Sequence, residues 1–166
     1  MSRDILFYDI LDTPIGEVFA SWDGRGLTTV HFCGEGEVRS IINDHIKRGA
    51  KPQRSTHSPH MIQLKEYFQK KRKRFDLHVH LLGTPFQKTV WKALMDIPHG
   101  ETRSYGEVAR AIGRPGASRA VGMANHANPL AVVVPCHRVV GHDGKLVGYG
   151  GGLERKRWLL ELEGAI

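Results

Sequence analysis

The stretch SYGEVARAIGRPGASRAVGMAN, residues 104–125, decides how the second half of this chain folds. It opens with a serine followed three residues later by a glutamate, the capping-box pair that starts a helix. Val108 and Ile112 then recur at helical spacing, and Gly113-Arg114-Pro115-Gly116 must end that helix. A second short helix is predicted from about residue 117 to 125. Two helices joined by a tight, glycine-containing turn are typical of a helix-turn-helix, a DNA-binding motif.

Further helices are predicted on either side of this motif. Thr84-Pro85-Phe86-Gln87 is another capping box with proline in the first turn, and a last helix should begin near Leu153. The character of the sequence changes after Leu82-Gly83. We therefore predict two domains, an α/β domain over residues 1–82 and a mainly helical domain over residues 83–166.

The N-terminal half begins as a small β-meander. Residues 5–11 are rich in strand formers, and residues 17–22 and 27–32 flank Asp23-Gly24-Arg25-Gly26. Aspartate and glycine at this position are a strong signal for a hairpin turn. The pattern predicts a small antiparallel sheet.

Helices follow the meander. A first helix is indicated by apolar residues at helical spacing: Val38, Ile41, Ile42 and Ile46. A second should begin at Ser58-Pro59, an N-cap followed by proline at the first helical position. Its buried stripe would be Met61, Leu64 and Phe68. Residues 75–81 alternate between apolar and polar, which predicts a half-buried strand.

Composition favours a globular protein with an anionic partner. The chain of 166 residues is 40% hydrophobic and carries a formal net charge of +7. A basic surface favours nucleic acid as a partner. No stretch is apolar over the length needed to cross a bilayer, and the first residues lack the apolar core of a secretory signal. We therefore expect a cytoplasmic protein whose two cysteines are thiols.

The segment VVVPCHRVV, residues 132–140, carries the strongest chemical signal. Cys136 stands between the rigid Pro135 and the imidazole of His137, in an apolar run that can hold them still. Taken alone, the segment allows two interpretations. The cysteine is either a small buried hydrophobe or a nucleophile whose proton is taken by a nearby base.

The segment Pro135-Cys136-His137-Arg138-Val139-Val140 resembles the signature of the O6-alkylguanine-DNA alkyltransferases, also called methylated-DNA–protein-cysteine methyltransferases. The likeness runs from Gly83 to Gly164, about half of the chain. It also includes these blocks: residues 84–87, 97–102, 104–106, 119–122, 128–129 and 148–153. The resemblance implies an N-terminal domain with a ribonuclease-H-like fold and a C-terminal domain with a winged-helix-like helix-turn-helix.

The resemblance also implies catalytic roles. Cys136 would accept the alkyl group, and His137 would be its base, acting through a water molecule. Glu163 would orient and polarise that histidine, which follows the logic of a catalytic triad. Asn128, in the turn before Pro129, would tie this turn to the active-site segment.

Further roles concern double-stranded DNA. A base inside a duplex cannot reach a buried thiol, so the nucleotide must be rotated out of the stack. The resemblance implies that Arg119 fills the gap and that Tyr105 crowds the 3′ phosphate, assists rotation and donates a hydrogen bond as guanine leaves. Small residues would let the second helix enter the minor groove, where the DNA-binding set is completed by Ala117, Ser118, Ala120 and Gly122. The guanine pocket would be lined by Pro135, Val139, Tyr149 and Gly150.

The expected function is direct-reversal repair of DNA that contains O6-alkylguanine, chiefly O6-methylguanine. The alkyl group would move irreversibly to Cys136, so each molecule would act once, as a monomer and without a cofactor. Some members of the family bind zinc through two cysteines and two histidines in the N-terminal half. Cys33 is the single cysteine there, so no structural metal is predicted.

Two alternatives come from other classes of protein. A helix-turn-helix regulator would only bind DNA, with Cys136 as a packing residue. A cysteine hydrolase would use Cys136, His137 and Glu163 as a relay and would turn over repeatedly. The basic run Lys70-Lys71-Arg72-Lys73-Arg74 could contact phosphates, but charge runs at helix ends are more often solvated faces, so the sequence does not assign it a role.

Overall fold

The structure, a computed structural model, describes residues 4–166. The chain divides between Leu81 and Leu82 into two compact units, the N-terminal unit and the C-terminal unit. Within the described residues, no helix is long and apolar enough to cross a membrane.

The N-terminal unit is built on a four-stranded sheet. Its strands are β1 (Ile5–Thr13), β2 (Gly16–Asp23), β3 (Gly26–Cys33) and β4 (Lys51–Arg54), in the order β3-β2-β1-β4. The predicted hairpin joins β2 and β3. Its turn is held because the Asp23 carboxylate accepts hydrogen bonds from the backbone N–H groups of Arg25 and Gly26, at 2.7 and 3.1 Å.

The fourth strand corrects the prediction of an antiparallel sheet. β4 pairs parallel to β1, in register from Ile5 with Lys51 to Tyr8 with Arg54, so the sheet is mixed. Helix α1 (Glu37–Lys47) carries the chain between β3 and β4, which run in the same direction. The sequence of β4 contains no typical strand former, and its place at the sheet edge tolerates Pro52.

Helix α2 (Pro59–Phe68) packs its apolar face into the core, as predicted. The hydroxyl of Ser58 caps it by accepting from the Met61 N–H at 3.2 Å. The predicted stripe of Met61, Leu64 and Phe68 is buried, together with Tyr67. Aromatic side chains make up much of this core: Phe19, Trp22, Phe32, Tyr67 and Phe68.

The predicted strand over residues 75–81 is wrong. Only Val79 forms a bridge, beside Leu27. The Leu27 N–H donates to His78 O at 2.9 Å, and the His80 N–H donates to Leu27 O at 2.8 Å. The apolar alternation did predict side-chain burial, since Phe75 and Val79 are half-buried while His78 is exposed. A strand needs a partner that continues to bond along its length, which an alternating pattern cannot specify.

The C-terminal unit is mainly helical. Its helices are α3 (Pro85–Met95), α4 (Tyr105–Ala111), α5 (Ser118–His126) and α6 (Leu153–Leu162). Both predicted capping boxes form, at Thr84 and at Ser104. Helices α4 and α5 are the predicted helix-turn-helix, with Gly113 at φ 74° in the turn.

Two short strands and one side chain fix the site within this unit. β5 (Arg103–Ser104) pairs parallel with β6 (Val139–Val140), the last two residues of the signature segment. The indole N–H of the buried Trp91 on α3 donates to Ala124 O on α5 at 2.8 Å. The observed architecture confirms the predicted fold class, apart from the parallel pairing of β4.

Candidate active site

The signature segment is held by the side chain of Asn128, which precedes it, and by the pairing of β6 at its C-terminal end. The amide of Asn128 donates to Val134 O at 2.8 Å and accepts from the Leu130 N–H at 2.9 Å. Val132 has φ 72°, a region that β-branched residues rarely adopt. Residues Cys136–Arg138 then form one 3-10 turn that runs into β6. Cys136 is therefore fixed from both sides.

Cys136 is buried, with 6% of its surface exposed. Burial raises the pKa of its thiol, because a thiolate loses solvation in an apolar interior. The Asn128 amide and the positive charge of Lys156 act in the opposite direction and lower that pKa. The thiol therefore needs a base to become a thiolate near neutral pH, and two groups are in place to stabilise the thiolate.

His137 and Glu163 form a buried pair. The His137 Nε2 lies 2.8 Å from Glu163 Oε1, and neither side chain is exposed. Burial lowers the pKa of His137, although Glu163 opposes that shift. The Nδ1 atom of His137 is buried and has no hydrogen-bond partner within the described residues. If Nε2–H donates to the carboxylate, Nδ1 carries the lone pair and can accept a proton.

Arg138 holds the carboxylate of Glu163 in place. Its Nε donates to Glu163 Oε2 at 2.9 Å, and its Nη2 donates to Oε1 at 2.8 Å. Its Nη1 donates to Ile97 O at 2.6 Å. Burial acts to raise the pKa of Glu163, but hydrogen bonds from His137 and Arg138 outweigh it and lower the pKa. Glu163 is therefore an anion at neutral pH.

Lys156 is a buried cation that the sequence analysis missed. Its side chain is fully buried on α6, and Nζ donates to Val139 O, Val147 O and Gly148 O at 2.5, 3.0 and 3.2 Å. Burial lowers the pKa of Lys156 to about 8, while Cys136 opposes that shift.

A signal for Lys156 was present in the sequence. Lys156, Leu159, Leu160 and Glu163 are spaced i, i+3, i+4 and i+7, and these four positions are buried. The charged neighbours of Lys156 made this stretch resemble a solvated face. Arg138 and Asn125 were also assigned no role, and the Asn125 amide donates to Cys136 O at 3.4 Å.

Two tyrosines, Tyr105 and Tyr149, interact electrostatically with the Cys136 thiol. Burial raises the pKa of Tyr105, and the charge of Cys136 adds to the shift. The same two causes raise the pKa of Tyr149 well above its ordinary value. The Tyr105 hydroxyl donates to Val147 O at 3.2 Å, and the buried Tyr149 hydroxyl has no partner within residues 4–166. The predicted pocket residues Pro135 and Val139 are buried, and Gly150 is exposed.

The predicted DNA-binding residues lie on and before α5. Arg119 and Ala120 are exposed, while Ala117, Ser118 and Gly122 are half-buried. A Cβ at Gly122 would lie 3.7 Å from the Tyr105 ring, an ordinary contact distance, so α5 lies beside the start of α4 at this point.

A groove of about 940 Å³ borders the helix-turn-helix. Its walls are the start of α4, Ser118 and the loop over residues 140–147. Its lining carries both signs of charge, from Arg110 and Lys145 and from Glu107 and Asp143, and Tyr105 forms part of its wall. Tyr105 therefore belongs both to this groove and to the residues that interact with Cys136.

The structure brings together all five predicted catalytic residues: Tyr105, Asn128, Cys136, His137 and Glu163. No three His, Cys, Asp or Glu residues in the described part of the chain are grouped to hold a metal ion. The arrangement can remove a proton from a buried thiol and stabilise the resulting thiolate.

Comparisons with known proteins cover most of both units. Residues 6–81 match the family model described as 6-O-methylguanine DNA methyltransferase, ribonuclease-like domain. Residues 85–165 match the model described as 6-O-methylguanine DNA methyltransferase, DNA binding domain.

Individual proteins agree with the family models. The chain is 48% identical to a methylated-DNA–protein-cysteine methyltransferase of Mycobacterium bovis, covering 96% of this chain and 93% of that protein. It is 46% identical to one from Methanosarcina acetivorans, covering 96% and 99%. A crystal structure of the Mycobacterium tuberculosis protein OGT in complex with DNA is similar, with a TM-score of 0.83, 46% identity, and coverage of 96% and 93%.

Proposed function

This chain belongs to the 6-O-methylguanine DNA methyltransferase family, and on that basis we propose that it repairs DNA by direct reversal. It moves the methyl group of O6-methylguanine in duplex DNA onto its own Cys136. The observation that carries this proposal is a buried Cys136 directly followed in the chain by His137, which is paired with Glu163. The His137 Nε2 and Glu163 Oε1 atoms lie 2.8 Å apart.

The transfer is a displacement at the methyl carbon. His137, through its lone pair on Nδ1, takes the thiol proton by way of a water molecule. The thiolate sulfur then forms a bond to the methyl carbon as the bond from that carbon to O6 breaks. The electron pair of that bond passes to the guanine, which takes up a proton, and the protein keeps a thioether.

The surrounding residues support each part of this step. Glu163 stabilises the imidazolium that forms on His137, as a carboxylate does in a catalytic triad. Asn128 and Lys156 stabilise the thiolate, in keeping with their effect on its pKa. Tyr105 donates a hydrogen bond as guanine leaves, for which its hydroxyl must exchange its present bond to Val147 O.

Helix α5 binds the DNA through its exposed face. Cys136 is buried, so the damaged nucleotide must leave the base stack. Arg119 is exposed and takes the place that the nucleotide leaves. The small residues of this helix permit close approach in the minor groove: Ala117, Ser118, Ala120 and Gly122.

The guanine is received by Pro135, Val139, Tyr149 and Gly150. Because a thioether is not attacked by water under ordinary conditions, each molecule acts once. The protein acts as a monomer and without a cofactor. A DNA substrate and a thiol that must stay reduced both favour the cytoplasm. Residues 1–82 and 83–166 act as the two domains of this protein.

Intact mass measurement after incubation with duplex DNA containing O6-methylguanine tests the proposal. We expect a gain of one methyl group per chain, which stops at one and is absent in Cys136→Ser. The Cys33→Ser variant is the matched control and should gain the methyl group normally. No gain would indicate a DNA-binding regulator, and continued turnover without a lasting gain would indicate a hydrolase.

A further inference from the structure

The basic run over residues 70–74 follows α2 directly. Lys70, Lys71, Lys73 and Arg74 are exposed, and Arg72 is half-buried. Five adjacent cations repel one another, and this repulsion lowers the stability of the folded segment. We call the four exposed side chains the basic turn.

The backbone of the basic turn is fixed. The Lys70 N–H donates to Tyr67 O at 3.0 Å and the Lys71 N–H donates to Glu66 O at 2.8 Å, which is the Schellman pattern at a helix end. Arg72 folds back, with Nε 2.7 Å from Glu66 Oε2 and Nη1 3.0 Å from Arg74 O. One cation of the run thus anchors the turn, and the other four face solvent.

The residue at the left-handed position of this turn is unusual. Lys70 has φ 61°, where glycine is the common choice because a side chain is disfavoured there. A lysine at this position costs conformational free energy and adds charge to an already crowded cluster. Both effects oppose folding, so the stability of this unit does not explain the charge.

The basic turn also sets the charge of the N-terminal unit. Residues 1–81 hold 13 Lys and Arg residues and 10 Asp and Glu residues, and five of the 13 are in the run. Without the run the balance would be 8 against 10, a net negative charge. The net positive charge of this unit therefore depends on the run.

We propose that the basic turn is a second DNA contact, separate from the helix-turn-helix, which grips the phosphate backbone without reading sequence. The inference rests on the proposed function, which supplies duplex DNA as the polyanion that this protein meets. The four exposed side chains of the turn are all cations, which suit contacts to phosphate oxygens. Phe75, the next residue, packs against Tyr67 with ring centroids 5.5 Å apart. Such contacts strengthen non-specific binding, by which rare lesions are searched for.

The test compares two variants with equal loss of charge, using undamaged duplex DNA at several salt concentrations. One replaces the basic turn with glutamine, at Lys70, Lys71, Lys73 and Arg74. The control replaces four other exposed cations of the same unit with glutamine, at Arg25, Arg39, Lys47 and Arg48. Circular dichroism and thermal melting establish that both variants fold.

We expect the first variant to reduce the slope of log affinity against log salt by up to about 3.6, because each phosphate contact contributes about 0.9. The control should change the slope much less, and a variant with Lys70, Lys71 and Lys73 replaced by arginine should retain it. Equal slopes for the two glutamine variants would overturn the proposal. So would an unchanged DNA slope with lost binding to phosphatidylglycerol vesicles, which would indicate a membrane surface instead.

The same preparations separate this inference from the proposed function. At saturating damaged DNA, the basic-turn variant should gain its methyl group at the wild-type rate. A wild-type protein that gains no methyl group defeats the proposed function. A wild-type protein that gains it while the two variants share one salt slope defeats only the basic turn.

Discussion

The interiors of the two units differ in the polar and ionisable side chains that they bury. The core of the N-terminal unit is aromatic and aliphatic, and its buried polar residues within residues 4–81 are Asp9, Ser21, Thr28 and Ser58. The interior of the C-terminal unit is also largely apolar, but it contains in addition four buried ionisable groups near one thiol: His137, Arg138, Lys156 and Glu163.

This difference shows where function departs from stability. A buried charge loses hydration, and its partners restore that loss only when each hydrogen bond is well made. In the C-terminal unit Glu163 serves both His137 and Arg138, and Lys156 is held by three carbonyl oxygens. An apolar core of similar volume would be simpler to stabilise but would do no proton chemistry. The predictions below test whether the two interiors differ in this way.

The largest effect should separate the two buried cysteines. Cys136→Ser should abolish methyl transfer while DNA binding is retained, because a serine hydroxyl is a far weaker nucleophile near neutral pH. Cys33→Ser, in the other unit, should leave the transfer rate unchanged. Single-turnover kinetics and a DNA-binding titration measure both. Methylation of Cys136→Ser at the wild-type rate would remove Cys136 from the reaction.

Glu163→Gln should damage both chemistry and stability. The transfer rate should fall by about a hundredfold, the scale of general acid–base catalysis, because His137 loses its anionic partner. The free energy of unfolding should fall by about 3–5 kcal/mol, because the buried Arg138 is left without a counter-charge. Stopped-flow transfer assays and urea denaturation measure the two losses. An unchanged rate would reduce Glu163 to a structural group.

Leu64→Ala is the matching change in the apolar core. Leu64 is fully buried on α2, so its truncation should lower the free energy of unfolding by about 2–5 kcal/mol. The transfer rate of the folded protein should stay the same, because no ionisable group is disturbed. The same two assays apply. A rate loss as large as that of Glu163→Gln would contradict the division of roles between the two interiors.

The smallest effect is a dependence of stability on pH that originates in the C-terminal unit. Burial lowers the pKa of Lys156 to about 8, against 10.5 for the ordinary group. Between these values the unfolded chain binds more protons than the folded one, so this lysine makes stability rise with pH. Its destabilising charge is fully present below pH 8 and is relieved by pH 10.5.

The slope should reach at most about 1.4 kcal/mol for each pH unit in that window. Urea denaturation of the wild type and of Lys156→Met at several pH values measures it as a difference between the two proteins. A difference that stays constant from pH 8 to pH 10.5 would show that Lys156 keeps its proton throughout.

Much of the fold could be predicted because its signals are local. A capping box at Thr84, another at Ser104 and the turn at Asp23 each depend on residues within one helical turn. Strand β4 and the single bridge at Val79 depend on segments distant in sequence, and neither was predicted. The polar sequence of β4 has no strand signal of its own, because β4 joins the sheet through backbone pairing with β1 and not through apolar side chains.

The sequence by itself predicted the candidate site: Cys136, His137, Glu163, Asn128 and Tyr105 follow from the resemblance of the signature and its neighbouring blocks to the family. Only the tertiary structure decided which charges are buried with them. Lys156 and Arg138 resemble ordinary surface cations in the sequence, yet both are enclosed beside the thiol or its base. The physical reason is that a residue's identity fixes its charge, whereas the solvation and the partners of that charge depend on segments that meet only in the folded chain.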